Sequence, residues 1–206
     1  MIKEEKEYQE KYGDVPEDER GRFEYLVKSI RYRNAKESVL KKVISIRNIK
    51  WKTQKFVLYW LPKGTPRPRL GKGNVFYVKN AKKNKERFYK FLKESEWEFV
   101  TTPCVFEVRS YFPIPETMKK PEKLLSEMGL IRPISTPDWD NIGKTYSDMI
   151  QDVVLYNDSL IIDGISRKYY SVKPRVEIYI RYMESFDSDF NRKKIEKQLK
   201  KGNELI

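Results

Sequence analysis

Three observations predict an α+β fold: a mixed β-sheet with helices packed on it, and a helical N-terminal extension. Strand-like apolar runs alternate with segments of helical spacing along most of the chain instead of collecting at one end. The first strand-like run, FVLYWLP at 56–62, follows residues 17–49, whose apolar positions recur every three or four. Hydrophobic residues make up 39% and aromatics 14% of 206 residues, enough for one domain with a real core and an appendage.

In the N-terminal stretch Phe23, Leu26, Val27 and Ile30, then Val39, Leu40, Val43 and Ile46, mark two helices or one bent helix. FVLYWLP reads as a strand stopped by Pro62. LPKGTPRPRLGKGNVFYV (61–78) is a Pro- and Gly-rich loop carrying Lys63, Arg67, Arg69 and Lys72, and it leads into a second strand at 74–78. Such a loop either presents cations to phosphates on a backbone path fixed by Gly and Pro, or is a solvated hairpin. Residues 80–96 read as an amphipathic helix with Asn80 as its cap and Phe88, Phe91 and Leu92 as its apolar stripe. A strand follows at 97–115, then a Lys- and Glu-rich excursion with a short helix around 123–128. LIIDGISRKYYSV (160–172) and RVEIYIRYM (175–183) read as two strands running antiparallel across Lys173 and Pro174. A basic helix is expected from Ser188 onward. The expected division is a helical extension at 1–52, a nuclease-like domain at 53–186 and a basic C-terminal helix at 187–206.

Charge narrows the chemistry. There are 43 Lys+Arg against 30 Asp+Glu, a formal net of +13. The first twenty residues carry four basic and eight acidic side chains, a net of −4, which leaves +17 on the rest. Nucleic acid is the commonest partner of such an excess. The chain has no histidine, which excludes His-based nucleases, Ser-His-Asp hydrolysis and His-containing zinc sites. The single cysteine, Cys104, lies in a strand-like run and reads as a buried structural thiol. The charged N-terminus and the lack of a long apolar run point to a soluble, cytoplasmic protein, associated with the nucleoid if it binds DNA.

Against that basic background, STPDWDNIGKTYSDMI (135–150) gathers acids. A helix starting near Asn141 and running to about Gln151, with Asp140 as its N-cap, would put Asp140, Lys144 and Asp148 on one face. Asp138 stands just before that helix, and Asp158 follows the apolar run VVLY. Singly, these residues read as a cap, a surface ion pair and turn residues. Jointly they read as a divalent-metal site: Mg2+ takes oxygen ligands from one or two carboxylates and completes its shell with water and phosphate. Metal-assisted phosphodiester hydrolysis is the natural chemistry for a nuclease without histidine, and Lys144 adds a cation near the same oxygens.

The stretch TPDWDNIGKTYSDMIQDVVLYNDSLI resembles the RusA family of Holliday-junction resolvases, often encoded by phages or prophages. The matching features are a P-D-x-D-N segment, a lysine four residues on, an aspartate within the following helix and a later D-D-S-Q-like segment. The LPKGTPRPRLGKGNVFYV loop and the closing ISRKYY and PRVEIYI strands are similar to the same family, so the likeness spans roughly 56–183. Carried over, it implies Asp138, Asp140 and Asp158 as metal-binding catalytic acids and Lys144 as the catalytic lysine. Asn141 and Asp148 would support them from behind, and Lys63, Arg67, Arg69 and Lys72 would contact DNA. This chain departs from the family pattern at Trp139 and Gly143, usually aliphatic, and at Asn157 and Leu160 in the later segment. Residues 116–130 and the N-terminal extension are additional to the compact core.

The resulting expectation is a Mg2+-dependent endonuclease, with Mn2+ as a substitute, that resolves four-way DNA junctions by paired symmetric nicks as a homodimer. Each nick would be an in-line attack by metal-activated water. The alternatives are a branched-DNA nuclease for flaps or forks, and a non-catalytic junction- or single-strand-binding protein. A PD-(D/E)xK nuclease fits less well, because no E-x-K strand follows Pro137 and Asp138.

Overall fold

The computed structural model describes residues 3–28, 36–64, 69–71, 74–76 and 80–185. The chain divides into two compact units, 1–49 and 50–206. The first contains α1 (Lys3–Tyr12), α2 (Glu19–Lys28) and α3 (Lys36–Arg47). The latter two cover the predicted helical stretch on either side of 29–35. Helix α1 was not expected, because its sequence has almost no apolar stripe. Glu4 and Glu5 in its first turn and Lys11 in its last complement the helix dipole. Tyr8 and Tyr12 lie 5.0 Å apart on one side.

The second unit is built on a four-stranded mixed sheet in the order β1–β6–β4–β5: β1 (Trp51–Leu58), β4 (Cys104–Pro113), β5 (Ile161–Ser171) and β6 (Arg175–Met183). A separate two-stranded ladder joins β2 (Arg69–Gly71) to β3 (Asn74–Phe76). Among its described residues three α-helices belong to this unit: α4 (Asn80–Leu92), α5 (Lys120–Glu127) and α6 (Trp139–Ile150). The α+β class and the mixed sheet are as expected.

Three strand readings need correction. The strand expected at 97–115 is confined to 104–113, with Val100 only bridged to Leu155 ahead of it. The first strand runs 51–58 rather than 56–62. It pairs with β6 along its whole length, and the Trp60 N–H then bonds back to the Leu58 carbonyl at 2.7 Å, turning the chain off the sheet before Pro62. The last two strands do run in opposite directions, but they are not neighbours. β4 lies between them, parallel to β5 and antiparallel to β6. Burial explains the order. Cys104, Phe106 and Val108 of β4 and Val176, Ile178 and Ile180 of β6 are all buried, so both strands take central places. β5 carries exposed Ile162, Asp163 and Gly164 and tolerates the edge. The ends of the predicted 74–78 strand and the predicted basic helix from Ser188 lie outside the described residues.

One face of the sheet is the core. Phe56, Leu58, Phe106, Val108, Ile178 and Ile180 pack beneath Phe88 and Leu92 of α4 and Ile142, Tyr146, Met149 and Ile150 of α6. Phe56 meets Phe88 edge-on at 5.5 Å. Burial pushes the Cys104 thiol up to about 12, which makes it the inert structural thiol the sequence suggests. The connection from β4 to its parallel neighbour β5 crosses this face and carries α5 and α6. Helix α5 is anchored by Glu127, whose carboxylate accepts from the Ser171 hydroxyl at 3.0 Å and the Val172 N–H at 2.8 Å.

The opposite face carries an ion-pair ladder. Glu177 on β6 accepts from Arg175 Nε at 2.7 Å and the Tyr179 hydroxyl at 2.6 Å, and lies 3.4 Å from Lys55 Nζ. Glu107 on β4 pairs with Arg109 at 2.6 Å and Arg167 at 3.0 Å. Burial raises the Glu177 pKa, but the bonds from Tyr179 and Arg175 outweigh it, so the net shift is downward from 4.5. A carboxyl with a depressed folded pKa adds stability above its unfolded pKa and loses it as pH falls through the folded value. Glu177→Gln is therefore expected to lower unfolding free energy at pH 7 by about 1–3 kcal/mol. In urea titrations the gap to wild type should close as the pH drops below 4.5. A gap that stays constant to pH 3 would mean that charge plays no part in it.

Candidate active site

Helix α6 carries Asp140 and Asp148, with Asp138 at its N-cap, and its frame differs from expectation. The Asp138 carbonyl accepts from the Ile142 N–H at 3.1 Å, so the helix begins at Trp139 with Asp138, not Asp140, at the N-cap. The Asp138 backbone is extended (φ −66°, ψ 156°), and its carboxylate makes no capping bond to the first turn. Asp140 sits inside that turn, where the helix dipole favours a negative charge.

Two contacts hold this helix start in place. Lys168, on the inward face of β5, donates from Nζ to the Ser135 carbonyl at 2.5 Å and the Pro137 carbonyl at 3.1 Å. From the other side comes the loop after β1. The Lys63 N–H donates to the Tyr146 hydroxyl at 3.2 Å, and Gly64 lies so close that a Cβ would meet Pro137 Cβ at 2.7 Å and Asn141 Nδ2 at 2.6 Å. Burial pushes the Tyr146 hydroxyl up to about 12, so it stays protonated. The start of the predicted basic loop thus rests against the acidic segment, with the Lys63 side chain exposed. Arg67 and Lys72 lie outside the described residues, and only the backbone of Arg69 is described, at the start of β2.

A cleft of about 250 Å³ opens between α6 and β5. Of the three residues expected to share a helix face, Asp140 and Lys144 line it, with Trp139, Gly143, Ile161 and Ile165 among its apolar walls. Asp148 does not line the cleft and is half-buried further along the helix. Asp158 opens the 3-10 turn Asp158–Leu160, three residues before Ile161. The turn is fixed by the Asn157 side-chain oxygen, which accepts from the Ser159 N–H at 2.9 Å, and by buried Leu160. A carboxamide does this as well as a carboxylate, so asparagine at 157 does not disturb the placement of Asp158. Asn141 lies beneath the segment, with its carbonyl accepting from the Thr145 hydroxyl at 2.6 Å.

For a metal, Asp138 and Asp140 have the right donor chemistry for Mg2+: hard carboxylate oxygens, two positions apart in the chain. Among the described residues no group of three or more His, Cys, Asp or Glu side chains is gathered so as to hold a metal ion, so Asp138, Asp140 and Asp158 do not form the three-ligand cluster expected from the sequence. These carboxylates would therefore supply part of a shell that phosphate and water complete. Lys168, Tyr146 and Gly64 were missed as site residues from the sequence. Period-two alternation did hold a signal, since Lys168 shares the inward face with Gly164 and Ser166.

Residues 60–181 match the family described as Endodeoxyribonuclease RusA, and the chain belongs to that family. A Bacillus subtilis (strain 168) relative, "Uncharacterized protein YqaN", is 34% identical over 134 residues, which cover 62% of this chain and 94% of the relative. Among the described residues no helix is long and apolar enough to cross a membrane.

Two glycines near the site should behave oppositely. Gly64→Ala sets a methyl against the rigid Pro137 ring and is expected to lower stability by about 1–3 kcal/mol in thermal unfolding. In Gly143→Ala the new methyl would lie 3.8 Å from Ser166 Cβ, ordinary contact. Its better helix propensity should raise stability by up to about 1 kcal/mol. Equal effects would place the loop away from α6.

Proposed function

We propose that this chain is a Mg2+-dependent, structure-selective endonuclease that resolves four-way DNA junctions by paired nicks as a homodimer. One observation carries the reading: Asp140 and Lys144 line one cleft, next to Asp138 and the start of a basic loop, in a chain of the RusA endodeoxyribonuclease family.

In this reading Asp138 and Asp140 hold the cation, and Asp158, which this structure does not gather with them into a three-ligand group, would have to close on it from the turn after α6 when metal and DNA are bound. Bound Mg2+, or Mn2+ in its place, would supply Lewis acidity at the phosphate and a lowered pKa for water. The chain's own residues do the rest. Lys144 sets a positive charge at the cleft wall, where it offsets charge developing on phosphate oxygens. Lys63, Arg67, Arg69 and Lys72 neutralise backbone phosphates and hold the strand in register. Asn141 and Asp148 steady the helix that carries the acids. A homodimer provides two such sites, as two symmetric nicks require.

The test separates cutting from binding. On a labelled four-way junction with Mg2+, Asp138→Asn, Asp140→Asn and Asp158→Asn should each abolish cleavage. Each should bind the junction in EDTA as tightly as wild type or more so, because a negative charge near DNA is removed. The change at Asp138 disturbs no capping bond, since its carboxylate makes none. Lys144→Ala should also lose cleavage, with binding level or slightly weaker. Near-normal cutting by all three acid variants would leave only the junction-binding reading, and equal cutting of flaps and forks would make the protein a general branched-DNA nuclease. Light scattering should give a dimer.

The basic loop has its own readout. Replacing Lys63, Arg67 and Arg69 together by alanine should flatten the log–log salt dependence of junction binding by about 0.9 per lost phosphate contact. An unchanged slope would put these side chains in solvent.

A further inference from the structure

We propose that the cleft between α6 and β5 is a nucleobase subsite, in which Trp139 stacks on a base next to the phosphate that is cut. This rests on the reading of the same cleft as a DNA-cutting site and adds what lies beside its acids.

Trp139 is the first residue of α6, between the two acids in sequence, yet it is 66% exposed. A tryptophan usually hides most of its ring, and this one instead forms a wall of the cleft. Four residues on, one helical turn away, Gly143 lines the same cleft and has no side chain. A large flat ring and a missing side chain on one face leave a slot rather than a filled seam. Phe106, Ile161 and Ile165 complete its apolar lining, and Asp140, Lys144, Ser147 and Ser166 are its polar members. Apolar faces meeting a few polar groups match the chemistry of a base, whose rings are apolar and whose edges are not. The same α6 residues set the distance. A base on Trp139 belongs to a nucleotide adjoining a phosphate at Asp138 and Asp140. Stacking on aromatic side chains is how proteins hold unpaired bases, and bases at a branch point are the easiest to unstack.

Trp139→Leu, Trp139→Phe and wild type would be compared on an intact junction and on junctions with one abasic residue on either side of the mapped cut. An exposed ring contributes little to folding, and matching melting temperatures would verify that. On intact junction, Trp139→Leu should lose about 5- to 150-fold in single-turnover kcat/KM, the range expected for one stacked base. Trp139→Phe should retain most activity. One abasic position should slow wild type by a similar factor and add nothing to the loss in Trp139→Leu, as two halves of one contact require. A second readout needs no cleavage. Junction titrated in EDTA should quench tryptophan fluorescence in wild type, and much of that quench should vanish in Trp139→Leu. Equal cleavage by Trp139→Leu, multiplying losses, or the same quench in both proteins would overturn the subsite. If wild type cut no junction, the nuclease reading would fall, and the quench alone would decide whether Trp139 stacks on DNA.

Discussion

The whole site hangs on one half-buried cation. Lys168 Nζ holds the carbonyls of Ser135 and Pro137, and so decides where the chain enters α6. A lysine ammonium has three donors and no acceptor, so it can bridge two carbonyls just before the start of the helix. Asp138 and Asp140 then follow from helical geometry. Gly64 closes the other side against Pro137 and Asn141, and a side chain there would drive the loop away. The acids are thus placed by β5 and by the loop after β1, elements far apart in sequence.

The sheet makes this possible by having two different faces. Its core face carries α4 and α6 on a buried apolar layer, so α6 is seated by Ile142, Tyr146, Met149 and Ile150. The other face carries Glu107, Glu177 and their basic partners: Lys55–Glu177 joins β1 to β6, Arg167–Glu107 joins β5 to β4, and the Arg109 guanidinium over the Tyr179 ring joins β4 to β6. The parallel pairing of β4 with β5 requires a long crossover, and that crossover contains both the acidic segment and the short turn with Asp158. The acids and β5 meet because one connection leaves β4 and returns beside it.

Much of this was legible in the sequence. The α+β class, the amphipathic helix around Phe88 and the closing strands followed from periodicity. Helical spacing put Asp140, Lys144 and Asp148 on one face, and of these Asp140 and Lys144 line the cleft while Asp148 does not. What was hidden depends on partners remote in sequence. Asp140 looked like a cap because asparagine and aspartate favour that position. The real frame begins two residues earlier, where Lys168 and Gly64 hold the chain. Strand pairing was misjudged for a related reason: the short link after Ser171 suggested a hairpin, but the apolar central strand β4 lies between the two. Helix α1 was missed because its support is electrostatic rather than an apolar stripe.

Lys168→Met offers the most direct measurement of whether this helix start is the cutting centre. It keeps the bulk of the stem and removes every donor. The rate of Mg2+-dependent junction cleavage should fall on the order of 100-fold, as expected when reacting groups are misplaced by about an ångström. Junction affinity in EDTA and the folded far-ultraviolet spectrum should change little. Cleavage at the wild-type rate by the folded variant would contradict the account, because the acids would then be placed by something other than the contacts that hold Ser135 and Pro137.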